Sequence, residues 1–508
     1  MISPVPSPVR ARTAGVLLHP TSLPGPYGVG DFGPAARAWV DTLAAAGQTW
    51  WQLLPLTPPG EGDSPYQAFS AFAANPVLIS PDDLIADGLL EASDIAGEPF
   101  GPGRVDYPHV NRFKATRLHR AWERFRVGAA AQLKATYTTF RKKQAAWLDD
   151  FALFMALKES RPGVPWTDWP EELVQRDPAA LKRAADTLAE AVDRVRFTQF
   201  LVFRQLAALR HYARERGVKL MGDLPIFISA ESADVWAHPE YFELDARRCP
   251  RVVAGVPPDF FCTTGQRWGN PHYNWKAMRR DGFAWWVARL TATLAEVDFV
   301  RLDHFRGFEA YWEVPASCPT AEVGRWVKAP GAALFTALRT ALGGLPLLAE
   351  DLGEITPEVD DLRLGFGLPG MRILQFAFGG AVEDRFLPHG YERNCAVYTG
   401  THDNDTTAGW YAGLTPAELA ALRRYVPGVD RDPVGELLRV AWASVADFAI
   451  APLQDVLGLG TEARMNLPGT ETGNWSWRFT ADMLDPDRLE RLAELTATYG
   501  RRPTPATA

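Results

Sequence analysis

Three acidic residues stand where apolar runs end. Asp303 closes "FVRLD", Glu350 closes "LPLLAE" and Asp403 closes "CAVYTGTHD". Side chains alternate along a strand, so Arg301 and Asp303 share a face, about 6.6 Å apart along the chain. A guanidinium placed there favours the charged form of its neighbour. A charged carboxylate can attack an electrophilic carbon, and a carboxyl that keeps its proton can feed a departing oxygen. Two carboxyl groups in those two states, about 5–5.5 Å apart, perform retaining glycoside chemistry. Arg301 suits Asp303 to the attacking role. Asp351, next to Glu350, either points away or adds repulsion that retains a proton, and the sequence leaves both open. A lone Asp at a strand end is ordinarily an N-cap for the next helix. Three such ends, with Arg301, His304 and His402 beside them, exceed what capping requires.

Elements that could hold these groups recur along the chain. Eight apolar segments read as strands: "GVLLHP", "WWQLLPL", "VKLMGDLPIF", "DFVRLDHF", "LPLLAEDLG", "GMRILQFAF", "NCAVYTGTHD" and "DFAIAPLQDVLGL". Amphipathic stretches such as "ARAWVDTLAAAG" and "VDRVRFTQFLVFRQLAALRHYARERG" lie between most of them. Strands buried on both faces and alternating with helices imply a parallel sheet, and eight repeats favour a (β/α)₈ barrel over a doubly wound sheet. In such a barrel the loops after the strands carry the chemistry. The barrel itself needs about 250 residues, so the surplus is expected as insertions at 57–218 and 228–297. Residues 1–12 and 501–508 read as tails, the first Pro-rich and disordered.

The 508 residues are 47% hydrophobic and 22% charged, with a net charge of −8. That composition supports a large core and no clustered basic face for nucleic acid. Four scattered cysteines without a C-x-x-C pair suggest reduced, cytoplasmic usage. No apolar run approaches the roughly 20 residues of a membrane helix, and "MISPVPSPVRAR" lacks the apolar segment of a signal peptide. No long apolar stripe proposes a partner, which leaves a monomer as the expectation.

Sugars present hydroxyl edges and apolar C–H faces, so their sites combine polar forks with flat rings. Among the 18 tryptophans, Trp268 is the best placed for this, because "RWGNP" reads as a turn-rich loop. "GVPPDFFCTTG" has the makings of a lid that offers Phe260 or Phe261 to the cleft. "GVGDFG" matches a dinucleotide fingerprint, but "TSLPGPY" separates it from its strand, so the tight turn is missing. His19, Asp303, His304, His402 and Asp403 lack the closely spaced ligand pair of a metal site. No cofactor and no metal are expected.

Several segments resemble the amylomaltases, bacterial 4-α-glucanotransferases. They are "GVLLHPTSLPGPYGVGDFG", "GDSPYQAFSAFAANP", "GDLPIF", "GVPPDFF", "RWGNPHYNW", "VRLDHFRG", "LLAEDLG", "YTGTHDNDT" and "NLPGTETGNWSWR". The resemblance runs in consistent order over about residues 13–482. It implies a (β/α)₈ barrel that transfers α-1,4-glucan segments between oligosaccharides. It also implies roles: Asp303 as nucleophile, Glu350 as general acid/base, and Asp403 as the carboxylate that grips the distorted sugar. Arg301, His304, His402 and Asp223 match residues around that sugar. Ser64, Tyr66, Asp259, Trp268 and Asn474 match positions along the glucan path.

Overall fold

In the computed structural model, residues 11–258, 262–379, 384–470 and 472–503 are described, with the backbone alone at Glu61 and Asp384. Twelve strands occur among the described residues. They begin with β1 (Thr13–Leu17), β2 (Trp50–Gln52), β3 (Lys219–Leu224), β4 (Val252–Val256), β5 (Gln266–Pro271) and β6 (Phe299–Leu302). β7 (Ala310–Pro315), β8 (Arg325–Lys328), β9 (Leu347–Ala349), β10 (Gly370–Ile373), β11 (Cys395–Tyr398) and β12 (Phe448–Pro452) follow. Eight of them form one parallel sheet in the order β10-β11-β12-β1-β2-β3-β6-β9. The Ala349 N–H donates to Pro369 C=O at 2.9 Å and brings the last strand to the first. This is the (β/α)₈ barrel, and each of the eight expected segments supplies one of its strands.

Local sequence explains the helical layer. In the helix Pro34–Ala45 the buried residues are Ala36, Trp39, Val40 and Leu43, a stripe at helical spacing that faces the sheet. The helix Ala189–Glu215 ends before Gly217, whose φ of +73° turns the chain into β3. Between β2 and β3 the helices Tyr107–Arg126 and Lys134–Ser160 pack with it around Phe125, Tyr137, Phe197 and Phe200. No helix among the described residues is long and apolar enough to cross a membrane.

Two features depart from the expectations. A second, antiparallel sheet in the order β5-β4-β7-β8 joins the connections after β3 and after β6. Arg501, in the segment expected to be a tail, is fully buried and donates to the carbonyls of Thr13, Trp442, Ser444 and Ala446. Arg12 likewise donates to Trp442 and Ser444. Four backbone carbonyls at the base of the barrel need donors; Arg501 reaches all four and Arg12 reaches two of them.

Candidate active site

The β3–β6–β9 ladder builds the centre of the site. Asp223 on β3 stands in register with Arg301 on β6. The Asp303 N–H donates to Leu224 C=O at 3.0 Å, and the Glu350 N–H donates to Leu302 C=O at 3.0 Å. Asp303 and Glu350 therefore leave neighbouring strands at almost the same height, each one residue past its strand.

Arg301 does more than serve its own strand neighbour. One terminal nitrogen, Nη1, lies 2.8 Å from each oxygen of Asp223 and 3.0 Å from Asp303 Oδ1. The Asp223 side chain is 0% exposed and that of Asp303 is 29% exposed, so the second is the one open to the cleft. Burial pushes the Asp223 carboxyl above its ordinary range and Arg301 opposes that push. The Tyr66 hydroxyl completes the pairing by donating to Asp223 Oδ2 at 2.8 Å.

Glu350 keeps some exposure at the mouth yet lies deep within the protein mass. Burial drives its pKa up to about 8; Arg301 opposes the rise and the charge of Asp303 adds to it. Its carboxyl accepts from the His304 N–H at 2.6 Å and the Leu352 N–H at 3.2 Å. His304 reaches that position with a φ of +51°, a left-handed conformation that costs an L-residue about 1–2 kcal/mol. Asp351 points away. It is fully buried, accepts from the Met371 N–H at 2.6 Å, and pairs with Arg363, Arg372 and Arg385 at 3.4, 3.2 and 3.0 Å. Gly370 permits this approach, since a Cβ there would lie 2.4 Å from Asp351 Oδ2.

Around these acids the rings close in. Trp268 meets His304 edge-on at 4.9 Å, and Phe227 lies 6.5 Å from the same imidazole. Burial lowers the His304 pKa to about 4, so the ring is neutral at pH 7, and its Nε2 has no hydrogen-bond partner among the described residues. Tyr66 stacks on His402 at 5.3 Å with 12° between planes.

Asp403 differs from its expected place. β11 ends at Tyr398, and Asp403 sits five positions later in a turn. Asn404 Oδ1 accepts from the Thr401 N–H at 2.9 Å, and the Asp403 N–H donates to Thr401 Oγ1 at 3.3 Å. These side chains compete with the ladder for the backbone and stop the strand early. Asp403 still belongs to the cluster: its charge and those of Asp223 and Asp303 all act on the Tyr66 hydroxyl.

Two of the residues expected along the glucan path, Ser64 and Asn474, make local contacts. Ser64 accepts from the Tyr66 N–H at 3.3 Å and shapes the turn that presents that ring. Asn474 is engaged within its own loop, accepting from Leu467 N–H at 2.9 Å and donating to Thr470 O at 3.0 Å. Asp259, with Phe260 and Phe261, lies outside the described residues. Gln67 Nε2 ties the β4–β5 hairpin to the β2 side through Asn270 Oδ1 at 3.2 Å.

A family model described as 4-alpha-glucanotransferase, glycoside hydrolase family 77, matches residues 18–484. The chain belongs to that family. It is an enzyme with 4-alpha-glucanotransferase activity. A 4-alpha-glucanotransferase of Thermus thermophilus is 51% identical over 496 residues, which span 96% of this chain and 99% of that relative. The chloroplastic/amyloplastic 4-alpha-glucanotransferase of Solanum tuberosum is 44% identical, over 97% of this chain and 87% of its own length. An amylomaltase from Streptococcus agalactiae, solved in complex with acarbose, superposes with a TM-score of 0.94 at 38% identity. That superposition covers 97% of this chain and 100% of the other.

Within this family member, sequence reasoning passed over two residues that touch the acids. Asn466 Nδ2 donates to Asp403 Oδ1 at 2.6 Å, and Arg464 Nη2 donates to the Asp403 C=O at 2.6 Å. Arg464 lies two residues before "NLPG" and Asn466 is its first residue, and neither follows a recognisable strand end. Only their proximity to Asp403 distinguishes them.

Proposed function

We propose that the enzyme cleaves an α-1,4-glucan donor and passes its glycosyl part to the 4-hydroxyl of an acceptor sugar, by double displacement with retention. Asp303 attacks C1 of the donor as the C1–O4 bond breaks, and Glu350 gives its proton to the departing O4. The acceptor then enters, its 4-hydroxyl proton passes to the Glu350 carboxylate, and its oxygen displaces Asp303 from C1. Bonds balance, so the number of reducing ends does not change. Asp403 and His402 hold hydroxyls of the distorted ring, the free Nε2 of neutral His304 serves another, and Trp268 offers a flat face. Arg301 and Asp223 anchor Asp303. Asp259, Ser64, Tyr66 and Asn474 border the glucan path in this reading, with Ser64 and Asn474 acting through the turns they hold.

One observation carries it. Two neighbouring strand ends present carboxyl groups of opposite provision, Asp303 paired with a guanidinium and open to the cleft, Glu350 buried with its pKa raised to about 8. Retaining transfer needs that asymmetry. In the same reading the protein is a cytoplasmic monomer without cofactor, and its partners are maltooligosaccharides rather than nucleic acid or membrane.

Incubation with maltotriose tests the reaction. Transfer yields glucose and longer chains at constant total reducing ends. A steady rise in reducing ends would instead make the chain a hydrolase, and loss of activity with a chelator would point to metal-dependent chemistry.

A further inference from the structure

Asp403 is the one acid of the three that the sheet does not hold. Its position depends on residues 462–470 and 472–478, which lie over the β11 end of the barrel. Besides the contacts to Asp403 itself, the Asn466 N–H donates to His402 C=O at 3.1 Å and Arg464 Nε donates to Asn466 C=O at 2.8 Å. Trp475 returns the chain to this point: its N–H donates to Met465 C=O at 2.8 Å. Its ring lies 5.9 Å from His402 and 5.7 Å from Tyr66. The cost is visible in the backbone, where Trp475 has a φ of +61°. A tryptophan stays in that region only where its surroundings over-determine it.

Those surroundings come from the long connection between β2 and β3. The Tyr107 hydroxyl, buried, donates to the Trp475 C=O at 2.8 Å. The Val105 N–H donates to Ser476 C=O at 2.7 Å, and the Arg478 N–H donates to Gly103 C=O at 2.9 Å. Arg104 adds Ser476 Oγ at 3.1 Å and Glu462 C=O at 3.0 Å, and forms an antiparallel bridge with Trp477. Residues 103–107 thus bind both flanks of the segment that carries Asn466.

We infer that residues 103–107 are a positioning strap for the third carboxylate, with Tyr107 holding Trp475, and through it Asn466, in the geometry that orients Asp403. This rests on the role given to Asp403 above. It assigns to part of the β2–β3 connection a share in the reaction rather than in packing alone. Tyr107 touches neither sugar nor acid in this scheme, and so it is a positioning residue.

The test uses Tyr107→Phe, which removes one hydroxyl and keeps the ring. The expected result is a kcat for maltotriose disproportionation lowered by about 10-fold, with KM changed less than about 2-fold. Acarbose, whose unsaturated ring has a flattened shape like that of the distorted sugar, should bind more weakly by a similar factor. Asn466→Ala should lose more, and Tyr107→Phe/Asn466→Ala should be no worse than Asn466→Ala alone, because both act on one contact. Arg104→Ala, on the exposed side of the strap, gives a second and milder variant if Tyr107→Phe does not fold. Unchanged kcat and acarbose affinity in the folded strap variants, or losses that multiply with Asn466→Ala, would overturn the inference. Asp403→Asn run beside them separates the two readings. If it keeps full turnover, the role of Asp403 fails; if it loses turnover while the strap variants do not, the strap alone fails.

Discussion

The two mouths of the barrel are made from the same strands and have opposite chemistry. At the N-terminal mouth Trp50, Phe299 and Phe448 close the interior, with ring centroids 5.7, 5.8 and 5.3 Å apart. Four residues beyond Phe299 in the same segment, Asp303 opens into the cleft. The acids at the two mouths differ as sharply. Asp298, below, is partly buried, yet the Leu220 N–H at 2.9 Å and the guanidiniums of Arg210 and Arg214 hold its pKa below the ordinary range. Glu350, above, has its pKa driven up to about 8 by burial, which Arg301 and its backbone donors do not offset and to which the charge of Asp303 adds. A carboxyl that is fully answered by donors is structure. One left short of them is available to exchange a proton.

The comparison breaks most readily at the nucleophile. Asp303→Asn is expected to lower turnover on the order of 10⁴-fold or more, with the melting temperature close to that of the parent, measured by glucose release from maltotriose and by thermal unfolding. Substantial transfer by the folded variant would remove the chemistry from this mouth. At the other mouth the pattern should invert. Trp50→Ala is expected to cost about 3–5 kcal/mol of stability while kcat per folded molecule stays within about 2-fold. A large fall in kcat at a temperature where the variant is folded would show the two mouths to be coupled.

The smallest effect is a pH signature. kcat/KM should fall as pH rises through about 8, as Glu350 loses its proton. The same shift bears on stability. In the unfolded chain Glu350 ionises near its ordinary value of 4.5, so its contribution is fully present below that pH and is lost as pH rises through about 8. Glu350→Gln cannot titrate, so its melting temperature should gain on the parent between pH 5 and pH 9, by about a few degrees. Asp298 carries the opposite sign, because its lowered pKa contributes stability above 3.8 that is lost on acidification. Asp298→Asn should therefore cost more at pH 7 than at pH 3. A pH-independent difference in either variant would erase the contrast between the two acids.

Much of this architecture was legible in the chain because it is written locally. Apolar runs such as "FVRL" and "CAVY" with amphipathic stretches between them specify strand and helix, and the alternation of Arg301 with Asp303 places both on one face. Asp303 and Glu350 were legible because each is the first residue past such a run. Asp403 was located in the right cluster and on the wrong element, since Thr401 and Asn404 end β11 by hydrogen bonds that periodicity does not register. The β5-β4-β7-β8 sheet was missed for a related reason: its strands are short, and "RWVK" and "QRWGNP" show no strong alternation. The expectation of insertions at 57–218 and 228–297 carried no sign that Tyr107, between β2 and β3, reaches Trp475.

By itself the sequence determined the barrel and the identity of its rim acids, because both depend on the period of neighbouring side chains. Only the tertiary structure decided that Arg301 is shared between Asp223 and Asp303, that Asp351 turns toward three arginines, and that Tyr107 meets Trp475. Those pairings join residues from 2 to 368 positions apart, and neither their choice nor the proton affinity of Glu350 exists until folding removes water and sets the distances.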